Sequence, residues 1–380
     1  MLVVLPASGF SAPYAAHVID ARTGEVLFTE NANSRLHPAS LTKMMTLYIA
    51  FEAVRNGEIS LDDTVKISSH AASEPPSKLG LRSGQKIKFR YLIRAAAVKS
   101  ANDAATAIGE AIAGSEANFA KRMNRTAKAL GMTRTTFRNA HGLTAEGHLS
   151  TAQDMTQLGR HLLYDFPEYY NLFSRTTADA GIKTVPNTNR RLLSSYKGAD
   201  AIKTGYTRAA GFNLVASAQR GNERIIATVF GGKSSVSRNA KVAELLDLGF
   251  RRAPSRAPVR KPDAPQYIAE GPKVITGNQT NPGVAGKTIR VTGLVAASLR
   301  PVARANPAKA TETVLAAVQE DSAELAALIT ETVSDIDSPA GTVAEVVTDI
   351  DLTPVGAPPV TTSSYGLYFD FDDVIDDLVE

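Results

Sequence analysis

An α+β fold is predicted, with an antiparallel sheet flanked by helices, a mostly helical lobe and an irregular C-terminal extension. Three observations lead there. Strand patterns occur near the start of the chain and again over residues 198–230. Helical patterns fill the stretch between them, and a closing helix is predicted over 237–250. After Arg251 the composition changes to Pro, Ala and Gly, then to acidic residues. The order strand, helices, strands, helix brings the first and last parts of the body into one sheet and leaves the helical middle as a lobe.

Each element has a local cause. Ala16–Ile19 and Val26–Phe28 are apolar runs around Arg22-Thr23-Gly24, a turn where glycine takes positive φ at no cost. Pro38-Ala39-Ser40 opens a helix whose Met44, Met45, Leu47, Tyr48, Phe51 and Val54 cover nearly every side. Such a helix belongs in the centre of a domain. Residues 73–85 read as a loop. A helix follows from about Phe89, is interrupted at Ser100-Ala101-Asn102 and resumes over Asp103–Ala113. Residues 115–130 form a basic amphipathic helix, Asn139–Leu143 a loop, and Ser150-Thr151-Ala152-Gln153 a capping box for the next helix. Gly198–Thr204 reads as a strand. Phe212–Ala218 and Arg224–Phe230 read as an antiparallel pair turning at Gly221-Asn222. Thr288–Val291 is strand-like, 311–330 is compatible with helix, and 331–380 has the acidic, Pro-containing composition of a flexible tail. The expected divisions are a signal-like segment over 1–14, a main domain over 15–252, a basic linker or small partial domain over 253–310, and an acidic tail over 311–380.

Composition narrows the chemistry. The 380 residues include no cysteine, which removes disulfides, thiol nucleophiles and thiolate metal sites. Six histidines are present without a His-Glu-x-x-His helix, so no metal is expected. The net charge of +4 hides an asymmetry: all 42 basic residues precede residue 310, where 22 acidic residues give a net +20, and sixteen acidic residues lie in 311–380. A basic body attracts polyanions. Solvated surface charge accounts for it better than a nucleic-acid patch, because no aromatic-interleaved basic stretch or nucleic-acid fold signature accompanies it. Met1–Ala12 resembles the end of a secretory signal, with an apolar run and small residues, though without a basic n-region. No run approaches the roughly 18 apolar residues that span a bilayer. An exported protein is expected, with peripheral membrane association left open.

Three short motifs carry the functional signal: Ser40-Leu41-Thr42-Lys43, Ser100-Ala101-Asn102 and Lys203-Thr204-Gly205. On a helix, positions i and i+3 share a face with Cβ atoms roughly 5–6 Å apart. The Lys43 amine can therefore reach the Ser40 hydroxyl. A neutral lysine can take the serine proton if burial and a second cation, here Lys203, lower its pKa. Ser100 can relay a proton to a leaving amine. Asn102 can position Lys43 or bond a substrate amide. Lys203 and Thr204 can bond a carboxylate, and Gly205 admits a backbone at the strand edge. Each motif alone is weak, since serine is a common helix cap and Lys183-Thr184-Val185 nearly repeats the third. The combination is the set found in class A β-lactamases and penicillin-binding proteins.

Residues 15–250 resemble the low-molecular-mass penicillin-binding proteins, the serine-type D-alanyl-D-alanine carboxypeptidases of peptidase family S11. The stretches carrying this are His37–Met44, Phe137–Leu143, Ser150–Met155, Ile202–Thr207 and Ala210–Ala216. The resemblance implies a β-lactamase/transpeptidase-like fold. It implies Ser40 as nucleophile on the carbonyl between two terminal D-alanines of a peptidoglycan stem peptide, and Lys43 as base. Ser100 would assist proton transfer and Asn102 would hold the site. Lys203, Thr204 and Arg238 would serve the terminal carboxylate, with the Ser40 and Tyr206 N–H groups as oxyanion hole. Penicillins and other β-lactams would acylate the same serine. No cofactor or metal is implied, and no nucleic acid. Tyr206 stands where some relatives carry histidine, and the region after residue 251 does not read as their small β-rich domain. Alternatives are a β-lactamase, a D-Ala endopeptidase of the same fold, or a non-catalytic cell-wall binding protein. The class A Glu-x-x-Leu-Asn pattern is missing between Asn139 and Lys203, and no nucleophile or base is lost.

Overall fold

The computed structural model describes residues 13–267. The signal-like segment up to residue 12, the strand-like piece at 288–291, the helix at 311–330 and the acidic tail lie outside the described residues.

A five-stranded antiparallel sheet organises the described body. It contains β1 (Ala15–Asp20), β2 (Val26–Glu30), β7 (Ala199–Thr207), β8 (Gly211–Arg220) and β9 (Glu223–Gly232), in the spatial order β2-β1-β9-β8-β7. The first strand therefore pairs with the last, Ala16 facing Val229 and Val18 facing Ala227. This closes the sheet across the helical middle, as the element order requires. The hairpin turns at Gly24 (φ +81°) and Gly221 (φ +57°) use the left-handed region that glycine enters cheaply.

Both faces of the sheet are covered, and the period-two alternation assigns the side chains. Leu214, Ala216, Ala218, Ile225, Ala227 and Val229 pack with Val242, Leu245 and Leu246 of the closing helix α9 (Ser235–Arg252). Ile202, Val215, Ile226 and Phe230 face the other core, shared with the helical lobe. The lobe is centred on α1 (Lys43–Arg55), where residues 43–51 are all buried. Full burial of one large apolar side chain contributes roughly 1.5–3 kcal/mol, so this helix is a principal source of stability. Phe51 stacks on Tyr169 at 4.4 Å between ring centres.

The remaining elements are β3 (Thr64–Lys66), α2 (Ser69–Ser73), β4 (Lys86–Lys88), α3 (Phe89–Arg94), α4 (Asn102–Ala113), α5 (Glu116–Ala129), α6 (Ala152–Asp165), α7 (Pro167–Tyr170), β5 (Thr177–Asp179), β6 (Thr184–Pro186) and α8 (Arg190–Ser195). Of these, α4, α5 and α6 pack directly on α1. The small β3–β4 and β5–β6 pairs were not anticipated, since three residues are too few to show a period. Buried Arg122 of α5 grips Glu52 and Glu58 at 2.8 Å each and ties α5 to the end of α1. The expected capping box differs in detail. Thr151 is the N-cap of α6 and accepts from the Asp154 N–H, while the Ser150 hydroxyl pairs with Thr135 at 2.7 Å.

Residues 253–267 run back along the body. Arg22, held by Asp20 at 2.7 Å, donates to the Pro254 carbonyl, and the Arg260 N–H donates to the Arg22 carbonyl. Arg160 of α6 donates to the Arg260 carbonyl from the same corner.

Candidate active site

Ser40 sits on a single 3₁₀ turn, Ala39–Thr42, that runs directly into α1. The turn is a small departure from the expected helix start, and it serves the chemistry. In a 3₁₀ turn, side chains at i and i+3 eclipse. Ser40 Oγ and Lys43 Nζ are 2.9 Å apart. Ala39 before it adopts φ +49° while fully buried, a costly conformation for a residue with a Cβ. Thr42 is fixed by His148 at 2.9 Å, and burial pushes the His148 imidazole down to about 3, so it stays neutral.

The second motif comes from the lobe. One turn of π-helix, Ala95–Lys99, follows α3 and ends at Ser100 with φ +65°. α4 then begins at Asn102. The π turn and the left-handed serine are two irregularities in succession, of the kind that cluster at functional sites. Asn102 Oδ1 accepts from Lys43 Nζ at 2.7 Å, and its Nδ2 donates to the Pro75 carbonyl at 2.9 Å. Of the two roles expected for Asn102, the geometry is that of positioning Lys43.

Lys43 has a third partner, the His141 carbonyl at 2.8 Å. The amine is wholly buried and titrates well below the ordinary lysine range. Burial is the main cause and the Lys203 cation the second, while Glu74 and Asp103 pull weakly the other way. A neutral amine has two N–H donors and one lone pair. The Asn102 Oδ1 and the His141 carbonyl can only accept, so they take both donors. The lone pair then faces the Ser40 hydroxyl.

The third motif lies within β7 at the free edge of the sheet, slightly inside the strand rather than at its end. Lys203 is buried and donates to the Thr204 carbonyl at 3.1 Å. The Thr204 hydroxyl donates to Thr188 at 2.7 Å. A Cβ on Gly205 would lie 3.1 Å from both the Pro38 carbonyl oxygen and the Ser40 nitrogen. The glycine therefore also lets the Ser40 turn press against the strand. Tyr206 is half exposed and packs on Phe212 at 4.3 Å between ring centres. Arg238, at the start of α9, is buried and donates to the Asn213 carbonyl at 3.1 Å, and burial pushes its guanidinium down to about 10. At that value it remains cationic at neutral pH.

Several contributors were invisible to motif reading. Asp103 is buried and accepts four backbone N–H groups, from Leu79, Gly80, Leu81 and Ala104, pinning the 73–85 loop to α4. Asn213 bridges the His37 carbonyl and the Gly231 N–H, joining the nucleophile turn to β8 and β9. The His141 contact uses a main-chain oxygen, which no residue type announces. Its only signal was Gly142, at φ +92°, where a Cβ would stand 1.9 Å from the Ala39 carbonyl oxygen. The imidazole of His141 faces a cluster of His70, Glu74 and Glu116, whose ligand atoms lie within 4.8 Å of one another.

Comparison with known proteins settles the family. The family model described as D-alanyl-D-alanine carboxypeptidase, peptidase S11, matches residues 10–234, more than half of the chain. The chain belongs to that family. It is 43% identical over 241 residues to the D-alanyl-D-alanine carboxypeptidase DacF of Bacillus subtilis, covering 62% of this chain and 61% of DacF. It thus spans about three fifths of the length of this curated relative. Among solved structures, penicillin-binding protein 5 from Haemophilus influenzae superposes with a TM-score of 0.60 at 34% identity, covering 66% of this chain and 73% of that one. Penicillin-binding protein D2 from Listeria monocytogenes, in its ampicillin-bound form, gives 0.56 at 34% identity, covering 65% of this chain and 100% of that one. The S11 chain has the β-lactamase-like fold of these penicillin-binding proteins, in agreement with the sequence reading.

Gly142→Ala tests the site's packing. The new methyl must displace Ala39 or the 139–143 loop, and either motion moves a partner of Lys43 or Ser40. Acylation of Ser40 by a fluorescent penicillin should slow on the order of 100-fold, the scale of a misplacement of about 1 Å. An unchanged rate would show that the loop does not hold the base.

Proposed function

We propose that this S11 protein is a serine-type D-Ala-D-Ala carboxypeptidase that removes the terminal D-alanine from peptidoglycan stem peptides through an acyl-enzyme on Ser40. The observation carrying this is the buried Lys43 amine, 2.9 Å from Ser40 Oγ, with its other two partners both acceptors. Neutral Lys43 takes the Ser40 proton as Oγ attacks the carbonyl carbon of the penultimate D-alanine. The oxyanion is received by the backbone N–H groups of Ser40 and Tyr206. Lys203, Thr204 and Arg238 supply the positive charge and hydroxyl for the substrate carboxylate. Ser100 passes the proton to the departing D-alanine amine as the C–N bond breaks. Water then attacks the acyl carbonyl while Lys43 takes the water's proton, and Lys43 passes that proton to Ser40 Oγ as the acyl C–O bond breaks, which releases the shortened peptide as its carboxylic acid and restores the neutral amine. β-Lactams, which the Listeria relative binds as ampicillin, acylate the same oxygen.

The acidic residues between Asn139 and Lys203 favour this reading over a β-lactamase. Asp154 accepts from Thr135, Asp165 from Tyr48, and Asp200 pairs with Arg224. Glu168 pairs with Arg55 at the surface, and Asp179 accepts from the Gly181 N–H. None of these five has Ser40 or Lys43 among those partners, and the sixth, Glu146, is exposed. An intact nucleophile and base weigh against a purely binding protein. A cell-wall substrate implies a location outside the cytoplasmic membrane, and among the described residues no helix is long and apolar enough to cross one.

Purified protein should release D-alanine from a peptide ending in D-Ala-D-Ala and form a long-lived penicilloyl adduct. Ser40→Ala should abolish both. Rapid penicillin turnover without peptide cleavage would overturn the proposal in favour of a β-lactamase.

The pH dependence follows from the base. The neutral amine is the active form, so acylation should hold above the lowered Lys43 pKa and fall as pH drops through it. In stopped-flow measurements the falling limb should lie well below the ordinary lysine range. Lys203→Gln, which removes the neighbouring cation, should move that limb toward higher pH.

A further inference from the structure

The cluster behind the His141 loop is not used by the acylation chemistry. His70 lies on α2 and Glu74 is the residue that caps that helix, four positions on and on the same face. Glu116 is the first residue of α5. His70 Nε2 is 2.9 Å from Glu116 Oε2 and 3.9 Å from Glu74 Oε1. A tetrahedral zinc ion with ligands at about 2.0–2.2 Å separates neighbouring donor atoms by roughly 3.3–3.6 Å. The two observed separations bracket that edge, and all three donor atoms fall within 4.8 Å.

The surroundings are those of supported ligands. Glu74, which is buried, accepts from the Thr106 hydroxyl at 2.9 Å, and Glu116 accepts from the Ala140 N–H at 3.0 Å. The His141 ring lies against both carboxylates. The Leu143 N–H donates to its Nδ1, which fixes the neutral ring's proton on Nε2. Its Nε2 lies 3.3 Å from Glu74 Oε1 and 3.4 Å from Glu116 Oε1. Hydrogen-bonded carboxylates of this kind orient metal ligands and are part of a site's affinity. His70 is more than half exposed, so the cluster opens to solvent on that side.

We propose that His70, Glu74 and Glu116 form a binding site for a divalent transition metal ion of the zinc class, completed by water. The imidazole nitrogen selects against calcium and magnesium, which prefer all-oxygen sites. The ion would join α2 to α5 and, through Glu116 and His141, brace the 139–143 loop whose carbonyl holds Lys43. It is a bracing site rather than a catalytic one, since Lys43, and not an ion, meets Ser40. The contiguous zinc motifs sought in the sequence miss it because its ligands come from two helices 42 residues apart.

The test is direct zinc binding, which stands apart from the carboxypeptidase reading. Untagged full-length protein, stripped with a chelator, is titrated with Zn²⁺ against a chromophoric competitor. One equivalent should bind, and His70→Ala and Glu116→Gln should each weaken it at least tenfold. Co²⁺ in place of zinc should give visible d–d absorption that His70→Ala abolishes. His70 is a surface residue, and an unchanged far-UV circular dichroism spectrum of metal-free His70→Ala shows that the variant is folded. Failure of the unmodified protein to bind, or equal binding by folded His70→Ala, would overturn the site.

Discussion

A primary amine without contact with water is the constraint on which the site depends. An ammonium in the interior costs several kcal/mol unless it is paired, and Lys43 has no carboxylate among its hydrogen-bond partners. Its partners are a hydroxyl, an amide oxygen and a main-chain carbonyl, and a second cation, Lys203, lies close enough to lower its pKa. The neutral amine is the form that this environment favours. A neutral amine beside a serine is already in the form that can accept a proton, so the proposed acylation rests on this burial.

Holding that amine requires three segments distant in sequence, and the fold can be read as the means of joining them. Pairing of β1 with β9 returns the end of the domain to its beginning, and β7 then lies at the sheet edge against the Ser40 turn. The lobe contributes Asn102 through α4, whose first turn is fixed by the four N–H groups that meet Asp103. Strain collects at the joins. Ala39 and Ser100 take left-handed backbone conformations next to Ser40 and close to Asn102, and Gly142 sits where no side chain fits. Stability from the packed α1 core permits these departures.

Much of this was legible in the sequence, for physical reasons. The β1–β2 and β8–β9 hairpins announced themselves through apolar runs around glycine turns, and α1 through apolar residues on nearly every face. Ser40, Lys43 and Asn102 were readable as a set because their chemistry needs side chains of particular types, and the structure brings them within hydrogen-bond distance. The three-residue strands β3 to β6 were not legible, because two strand periods need more residues than they have. Nor was the His141 contact, since any residue carries a carbonyl. The role of Gly205 was half seen: room for substrate was expected, while contact with the nucleophile turn emerged only from the fold. The His70, Glu74 and Glu116 cluster stayed hidden because tertiary packing, not spacing, assembles it.

The central claim is a protonation state, and it can be observed directly. Protein carrying isotope-labelled lysine can be titrated by heteronuclear NMR, with the Lys43 signal assigned from a Lys43→Arg variant. The account predicts that Lys43 loses its proton far below the ordinary lysine value of about 10.4, while surface lysines titrate near it. A Lys43 signal that titrates with the surface lysines would contradict the account, because the amine would then be an ammonium at neutral pH and unable to accept the Ser40 proton.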